Sequence, residues 1–496
     1  MMTWLIALPV MLPILAAGAS LGLSRHGRAQ RLLTVLVLTG VFVDAALLLV
    51  AVDRDGRAEV AFGGWAPTLG ITLAADLLSA LFLAVSALVA LAVLIFAIGQ
   101  GTPDRAGTGI VPFHPAYLLL VAGIALAFLS GDLFNLFVAF EVMLASSYVL
   151  ITLNAGATRV RAGMTYTMTS LMSSLLFLTA IALIYAATGT VNLGELAERT
   201  AELDAGVRSA LGAFLLVVFA IKAAVVPLHF WLPDGYPTAP APITAVFAAL
   251  LTKVGVYAML RTQTQLFPRD DTWSLVAGAA VLTMLVGILG AIAQDDINRL
   301  LSFALVSHIG FMLMGIALFD AEGFTGTILY IIHHIVVQAG LFLVTGLVVS
   351  RTGTAALHRL ESQDPPGPGP APGVQENEGT PPVVTALFLL PALSMAGIPP
   401  FSGFIAKFAL LRAAVSDGGT AAWLMSAAAL VTSLLTLYAM IRVWRAVSAP
   451  VIAPAGRPSL TLGATAGIVL VGLAIAAGAG PLADLSERAA HDLLAR

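Results

Sequence analysis

Long apolar runs, each close to the length of a membrane-crossing helix, recur along most of the chain. A helix needs about 20 predominantly apolar residues to cross the hydrocarbon core of a bilayer, and fourteen stretches meet this requirement. The predicted spans are roughly 3–23, 32–52, 75–99, 112–130, 133–153, 163–187, 207–226 with a broken continuation to 236, 242–260, 274–293, 297–318, 324–350, 383–412, 420–444 and 459–480. The pattern therefore predicts an all-α polytopic membrane protein with about 14 transmembrane helices.

Two of these spans are interrupted by prolines next to a lysine. The seventh contains PLHFWLPDGYP and the twelfth contains AGIPPFSGFIAKF. Proline removes a backbone donor, so a break at membrane depth survives only where protein or water covers the freed groups. The two breaks lie five spans apart, as expected for two inverted five-helix repeats, helices 4–8 and 9–13, each with one broken helix.

These repeats divide the chain into four predicted parts. The parts are N-terminal helices 1–3 at 1–111, the first repeat at 112–261, the second repeat at 273–446 and a C-terminal helix at 458–480. Within the second repeat, the loop 351–382 is rich in proline and glycine and is predicted to be a flexible cytoplasmic connection. The loop Val191 to Arg208 is predicted to form a short surface helix.

Composition narrows the class further. The chain is 59% hydrophobic and only 10% charged, whereas a soluble domain is about a quarter charged. The net charge of −3 leaves no basic face for nucleic acid. Cysteine is absent, which excludes disulfides and cysteine-bound iron–sulfur clusters from this chain. We therefore expect no cofactor, and redox chemistry would have to belong to a partner.

The loop charges predict an orientation. The first loop carries Arg25, Arg28 and Arg31, while the following loop, Asp53 to Glu59, is richer in acid. Because basic loops face the cytoplasm, both termini are expected on the outer face. The N-terminal apolar run lacks a basic n-region and is expected to be the first span and not a signal peptide.

Lysine occurs at only three positions, Lys222, Lys253 and Lys407, and all three fall inside predicted spans. The other 21 basic residues are arginines. A lysine at the centre of a lipid-facing helix costs about 2.5–3.5 kcal/mol on insertion scales, so such residues usually face a bundle interior. Unlike arginine, a buried lysine can lose its proton, as a proton relay requires. The alternative is a lysine that extends its ammonium group from a span end to the interface.

The matching acid is Glu141. If its helix begins near Leu133, Glu141 lies about 12 Å into the membrane at 1.5 Å per residue, so it needs a cationic or protonated partner. Lys222 is the natural candidate, and the pair would be either part of a relay or purely structural. Asp132 is expected to cap the same helix, Asp76 to lie at a span end, and Asp44 to lie deeper, without an evident partner.

Histidines supply further groups that exchange protons near neutral pH. His229, with Asp234, lies in the first break, His308 in the tenth span, and His333 and His334 in the eleventh. Adjacent histidines point about 100° apart on a helix, so His333 and His334 do not suit one metal site. A histidine satisfied by a helix hydroxyl is the alternative for His308. We place His334 in a polar path because Tyr330 and Gln338 lie one turn away on either side.

Several segments together resemble a known family. They are GDLFNLFVAFEVMLASSYVLI, IYAATGTVNL, FAIKAAVVPLHFWLPDGYPTAPAPITAVFAALLTKVGVYAMLR, DDINRLLSFALVSHIGFMLMGI, HHIVVQAGLFLVTG and AGIPPFSGFIAKF. In this order they resemble the antiporter-like membrane subunits of multisubunit Na+/H+ antiporters (Mrp type), respiratory complex I and membrane-bound hydrogenases. The chain most resembles the Mrp branch, since it ends after fourteen spans without a long lateral helix.

The resemblance implies roles for particular residues. Glu141 and Lys222 would form the charged pair of the family, Lys253 the central relay lysine and Lys407 the terminal one. His334 falls where the family places a histidine in the eleventh span. Many relatives carry a lysine one turn later, where this chain has Gln338, so the link from Lys253 to Lys407 is expected to run through water and His334.

The expected function is that of a secondary transporter subunit, not an enzyme. It would exchange external H+ for internal Na+, or another monovalent cation, in a bacterial cell membrane together with other subunits of a hetero-oligomeric complex. Two alternatives remain open. The chain could be a proton-pumping subunit of a complex I-like oxidoreductase or a hydrogenase, or it could be a scaffold subunit. Three buried lysines argue against a scaffold because they are costly to bury.

Overall fold

The computed structural model describes the chain except at residues 1, 62–69, 106–112, 154–155, 268–272, 363–381, 449–459 and 496. In the described part the fold is all-α, with one antiparallel hairpin of β1 (Ala58–Ala61) and β2 (Thr72–Ala75). The all-α prediction is confirmed. The proline-rich part of the predicted flexible loop lies outside the described residues, but within its range Leu357–Ser362 forms a short helix.

The described part of the chain contains twenty α-helices. In chain order they are α1 (Met2–Gly22), α2 (Gly27–Asp55), α3 (Leu77–Gln100), α4 (Phe113–Leu129), α5 (Leu133–Thr152), α6 (Ala157–Thr188), α7 (Leu193–Ala201), α8 (Ala205–Ala223), α9 (Trp231–Gly235), α10 (Ala241–Val246), α11 (Thr252–Leu266), α12 (Trp273–Ile292), α13 (Ile297–Leu318), α14 (Ala321–Thr352), α15 (Leu357–Ser362), α16 (Pro382–Ala396), α17 (Ser402–Asp417), α18 (Thr420–Ser448), α19 (Leu460–Ala477) and α20 (Ala479–Leu494). A π-helical turn, Phe247–Leu251, joins α10 to α11.

Every predicted span coincides with helical structure. Among the described residues, twelve helices are long and apolar enough to cross a membrane, and Phe113–Leu129 and Pro382–Ala396 are shorter apolar helices. Several helices exceed the predicted spans; α14, for example, has 32 residues. A helix can continue beyond the hydrocarbon, where hydropathy no longer detects it. The predicted surface helix is present as α7.

The amphipathic helix α20 was missed by the sequence reasoning, which ended the last element at residue 480. It packs against α14 and α3, and Arg488 binds Asp53 at 2.6 Å near the end of α2. Hydropathy scanning overlooks such helices because half of their surface is polar.

The centre of the bundle consists of two spans, Ala241–Leu266 and α14, whose apolar windows are buried on all sides. By contrast, α2, α6, α8 and α19 expose a large part of their surface. Helices that are apolar all round belong in the interior of a large bundle. Lys253 and the histidine pair of α14 therefore lie on the two innermost spans, away from lipid.

Side chains cover the backbone groups that the first break leaves unpaired. The chain leaves α8 at Ala224, which adopts a left-handed conformation with φ 60°. Beyond it, the Val226 amide donates to the Thr283 hydroxyl at 3.2 Å. The Trp231 indole donates to the Ile221 carbonyl at 3.0 Å. These bonds let a proline-containing break persist within the bundle, as the sequence required.

Candidate functional site: a row of buried lysines and histidines

Lys222 lies in the last turn of α8, directly before the first break. Its ammonium group donates to the Ser174 hydroxyl of α6 at 3.2 Å and lies 4.6 Å from the centre of the Phe140 ring of α5. A ring face attracts a cation through its quadrupole. Both partners are uncharged, so Lys222 is held without a carboxylate in direct contact.

Glu141 on α5 is the carboxylate that the sequence pairs with Lys222. In the described part of the chain the two side chains form no ion pair within 4.0 Å, and Oε1 of Glu141 is buried without a hydrogen-bond partner. A buried polar atom without a partner is costly and marks a place where water or a proton is needed. The structure therefore shows no direct ion pair between the two residues that the sequence pairs.

A cavity beside Lys222 offers room for water. It has an accessible volume of about 40 Å³, more than the roughly 10–15 Å³ that one water needs. Its polar wall includes Ser170 and Ser173, and its far side reaches Leu251 in the π-helical turn. The cavity thus extends from the first lysine to the turn that precedes the second.

Lys253 is completely buried on α11. Its Nζ donates to the Ala248 carbonyl at 2.6 Å, five residues earlier and inside the π-helical turn. A π turn shifts the usual i to i−4 pairing, so it can leave a carbonyl available to a side chain, and such turns often occur at functional sites. The local irregularity therefore provides the lysine with a neutral acceptor.

His308 and His334 face each other between α13 and α14. Their ring centres are 5.3 Å apart, and Nδ1 of His308 is hydrogen-bonded to the Tyr330 hydroxyl. Both ring nitrogens of His334 are buried without a partner. Nδ1 of His308 is thus paired with the hydroxyl of Tyr330 on the neighbouring helix α14. Its Nε2, like both ring nitrogens of His334, is buried without a hydrogen-bond partner.

His333 points to a different neighbour, as the 100° offset between adjacent helix residues predicted. Its Nδ1 is hydrogen-bonded to the Ser402 hydroxyl at 2.9 Å, and Ser402 in turn lies 3.3 Å from Ser394 across the second break. Within the described residues no group of three or more histidine, aspartate or glutamate side chains is arranged to hold a metal ion. His333 therefore connects α14 to the break that precedes Lys407.

Lys407 occupies the second break directly. Its Nζ donates to the carbonyls of Met395 at 3.0 Å and Ala396 at 3.1 Å, which end α16, and to the Ser433 hydroxyl at 3.1 Å. It also lies 4.7 Å from the centre of the Phe311 ring. Phe311 stacks on Tyr330 at 5.2 Å, so aromatic rings connect Lys407 to the histidine cluster.

Two glycines make this close packing possible. Gly397 has φ +87°, and a Cβ there would come 2.8 Å from Cδ of Lys407. A Cβ on Gly403 would overlap the Ser394 carbonyl oxygen and lie 2.9 Å from Cε1 of His333. The backbone approaches the lysine and the histidine so closely that a side chain does not fit.

The remaining supporting residues divide into two groups. Gln338 is buried and donates to the Leu301 carbonyl at 3.1 Å, with its own carbonyl oxygen unpartnered. His229 in the first break also has a buried, unpartnered Nδ1. Asp234, however, is exposed and pairs with the exposed Arg299 at 2.9 Å. The structure therefore does not place Asp234 with the buried groups, because it lies at the surface end of the break.

A buried ionic cluster was not anticipated from the sequence. Asp76 and Arg261 are each 6% exposed, and the guanidinium binds both carboxylate oxygens, at 2.5 and 2.8 Å. The Tyr257 hydroxyl accepts a hydrogen bond from the same guanidinium at 2.9 Å. The sequence did contain a pattern that could have suggested this cluster. Lys253, Tyr257 and Arg261 are spaced by four residues and therefore share one side of a helix. As predicted, Asp76 lies at a span end and Asp132 caps α5 through the Asn135 amide.

Comparisons with known proteins identify the family of the chain. The family described as "NADH:quinone oxidoreductase/Mrp antiporter, TM" matches residues 130–436. The D subunit of the Na(+)/H(+) antiporter of Alkalihalophilus pseudofirmus is 38% identical over 443 residues, which cover 89% of this chain and 86% of that protein.

Solved structures show the same relationship. A chain of the Mrp complex from Dietzia sp. DQ12-45-1b is 32% identical with a TM-score of 0.88, covering 99% of this chain and 98% of that one. A chain of respiratory complex I from Thermus thermophilus is 25% identical with a TM-score of 0.80, covering 100% of both. The predicted resemblance is confirmed: this chain belongs to the membrane-subunit family that NADH:quinone oxidoreductases and Mrp antiporters share.

Proposed function

We propose that this chain is the proton-translocating, D-type component of a multisubunit cation/proton antiporter. It exchanges external H+ for internal Na+, or another monovalent cation, across a bacterial cell membrane. The observation that carries the proposal is that all three lysines of the chain lie within the bundle and bind neutral oxygens. The similarity to D subunits of Na(+)/H(+) antiporters supports the choice of transported ions.

Neutral partners suit a group that must gain and lose a proton. A carboxylate in direct contact would favour the charged lysine, whereas carbonyl and hydroxyl oxygens accept an N–H from either form. Arginine at these positions would stay charged at any accessible pH. The contacts of Lys222, Lys253 and Lys407 therefore support a relay role over purely structural ion pairing.

The proposed proton path runs along the membrane through Glu141, Lys222, Lys253, His334 and Lys407. The cavity that extends from Lys222 to Leu251 supports a water connection in its first half. In its second half, His334 has two buried ring nitrogens without a hydrogen-bond partner in the protein. These free nitrogens support the proposal that His334 exchanges protons through water.

Two inverted repeats are part of the proposal. Asp132 and Asp296 cap α5 and α13, and each forms an isolated bridge to a segment that precedes a short surface helix, at Asn192 and Ala356 respectively. Each half then continues into a broken helix beside a lysine. These corresponding features support repeats at 112–261 and 273–446. The basic first loop is the basis for proposing that both chain termini lie on the outer face.

Replacing Glu141 by alanine tests the relay. In proteoliposomes that contain the assembled complex, E141A should abolish Na+-driven proton movement, measured with a pH-sensitive dye. The exposed Glu198 on α7 provides a matched control, and E198A should retain activity. Near-normal exchange by a fully assembled E141A complex would contradict the assignment.

A second candidate is a redox-driven complex, because the fold also matches a complex I chain along its whole length. The same row of groups would then carry protons driven by redox chemistry elsewhere. Purification of the intact complex separates the two functions. Co-purification with iron–sulfur proteins, and proton transport that needs an electron donor but no Na+, would favour the redox complex.

A further inference from the structure

A layered cluster of buried side chains lies beyond Lys253 towards the C-terminal end of α11. We call the face of the bundle where α3 and α5 begin, at Asp76 and Asp132, the Asp76 face. Arg261 lies eight residues after Lys253 on α11, about 12 Å along the helix axis at 1.5 Å per residue. The side chains between Lys253 and Arg261 therefore determine whether a proton can move from Lys253 along α11 to the Asp76 face.

The lower layer of this cluster is aromatic. Phe82, Phe128 and Tyr257 are almost completely buried, and their ring centres lie 5.0–5.9 Å apart in edge-to-face contacts. Tyr257 is one turn beyond Lys253 on the same helix. Apolar constrictions of this kind exclude water and thereby block ion passage.

The upper layer is a fully engaged ion pair. Both oxygens of Asp76 bind the Arg261 guanidinium, and Oδ1 also accepts the Ser79 amide at 3.0 Å. The Tyr257 hydroxyl donates to the Phe128 carbonyl at 2.7 Å and accepts two N–H groups from Arg261. The phenol proton is therefore already committed to a backbone acceptor.

The position of Arg261 within this cluster affects where a proton on Lys253 can go. Along the cluster the groups follow as Lys253, Tyr257, Arg261 and Asp76, so the arginine lies between the lysine and the carboxylate. Arginine has no acceptor and does not release its proton. A positive group that cannot deprotonate repels cations from a pore and cannot pass a proton on.

We propose that Phe82, Phe128, Tyr257, Arg261 and Asp76 form a seal between Lys253 and the Asp76 face. The seal forces a proton on Lys253 to move sideways towards His334 and prevents direct leakage along α11. This role rests on the proposed function of Lys253. It extends that function by assigning a task to residues outside the row.

Passive proton conductance of the assembled complex tests the seal. Proteoliposomes are prepared without Na+, a potassium diffusion potential is applied, and proton movement is followed with an internal pH dye. Wild type should conduct little. R261Q should conduct several-fold faster, and the double variant R261Q/K253M should return to the wild-type rate, because the leak passes through Lys253.

A second pair of variants keeps the test independent of Arg261. F82A opens the aromatic layer and should also leak in a Lys253-dependent manner. F96A truncates another buried phenylalanine of the same helix α3, outside the seal, and should not leak. The proposal is overturned if R261Q and F82A both conduct as wild type, or if their leaks persist after K253M.

Failure of the seal is distinguishable from failure of the proposed function. Na+-driven exchange is measured in the same proteoliposomes with the wild-type complex. Absence of exchange in wild type would refute the antiporter function. Normal exchange together with a leak that ignores Lys253 would refute only the seal.

Discussion

At the scale of single residues, the proposed relay groups have in common that they form no ion pair in the described part of the chain. Lysines bound to carbonyl and hydroxyl oxygens and a histidine with two unpartnered nitrogens can change protonation without breaking an ion pair. By contrast, Asp76 and Arg261 are locked together. The direct contacts of each side chain therefore distinguish groups that can exchange a proton from groups that keep theirs.

His334 provides a residue-scale prediction. H334Q preserves polarity and approximate size but cannot carry a proton, so Na+-driven proton exchange should fall by about 10²-fold or more, the usual contribution of a general acid–base group. The exchange rate in proteoliposomes measures this. The exposed His358, which pairs with Asp295 at the surface, gives the control H358Q. Equal rates for H334Q and wild type would exclude His334 from the path.

The sequence singled out the proposed relay residues because lysine, glutamate and histidine are conspicuous inside apolar runs. It did not identify their hydroxyl and carbonyl partners, such as Ser174 and Ala248, because serines and backbone groups are common in every helix. The pairing of Asp76 with Arg261 spans 185 positions, and no local pattern determines such a distance. The exposed position of Asp234 could not be predicted from the sequence, because it depends on the path of the break.

At the scale of elements, both helix breaks and the π-helical turn occur beside a lysine. Irregular backbone exposes carbonyls that a regular helix would use internally. Lys253 and Lys407 bind such carbonyls, and Trp231 binds the one at the end of α8. The breaks were predictable from their prolines, whereas the π-helical turn was not, because FAALL contains no residue that interrupts a helix.

Thr283 of α12 should stabilise the first break. T283V keeps the shape of the side chain but removes the acceptor for the Val226 amide, which should cost about 1–3 kcal/mol, the usual penalty for an unsatisfied buried donor. Thermal unfolding in detergent measures the change. The exposed Thr179 of α6 bonds only within its own helix, so T179V should change stability by less than about 0.5 kcal/mol. Equal melting temperatures for the two variants would contradict this role.

Gly403 tests the second break. In G403A the added methyl overlaps the Ser394 carbonyl, so α17 must shift away from α16, and overpacking typically costs about 1–3 kcal/mol. Exchange should fall together with stability, because the shift separates His333 from Ser402. Gly278 in α12 has open space around it, and G278A should be neutral. If the melting temperature and the exchange rate of G403A equal those of the wild type, the close contact between Gly403 and the Ser394 carbonyl is contradicted.

At the scale of the whole molecule, burial places the chemistry on the innermost helices. The spans with Lys253 and the histidines are surrounded by protein, while Glu141 lies on α5, closer to the edge of the bundle. The approximate positions of the apolar helices could be predicted from hydropathy. The inner or outer position of each helix could not be predicted, because hydropathy does not follow burial: the fully buried α14 and the largely exposed Arg159–Thr188 have mean hydropathies of 1.9 and 2.0. The amphipathic helix α20 also could not be identified from hydropathy and was recognised only in the structure.

The central claim is that a buried lysine of this chain must release its proton for transport to occur. The most direct measurement is Na+-driven proton exchange by the assembled complex with K253R in proteoliposomes. Arginine keeps the positive charge but does not deprotonate, so we predict that exchange falls to the background of empty liposomes while the complex remains assembled. Exchange at the wild-type rate by K253R would contradict the account.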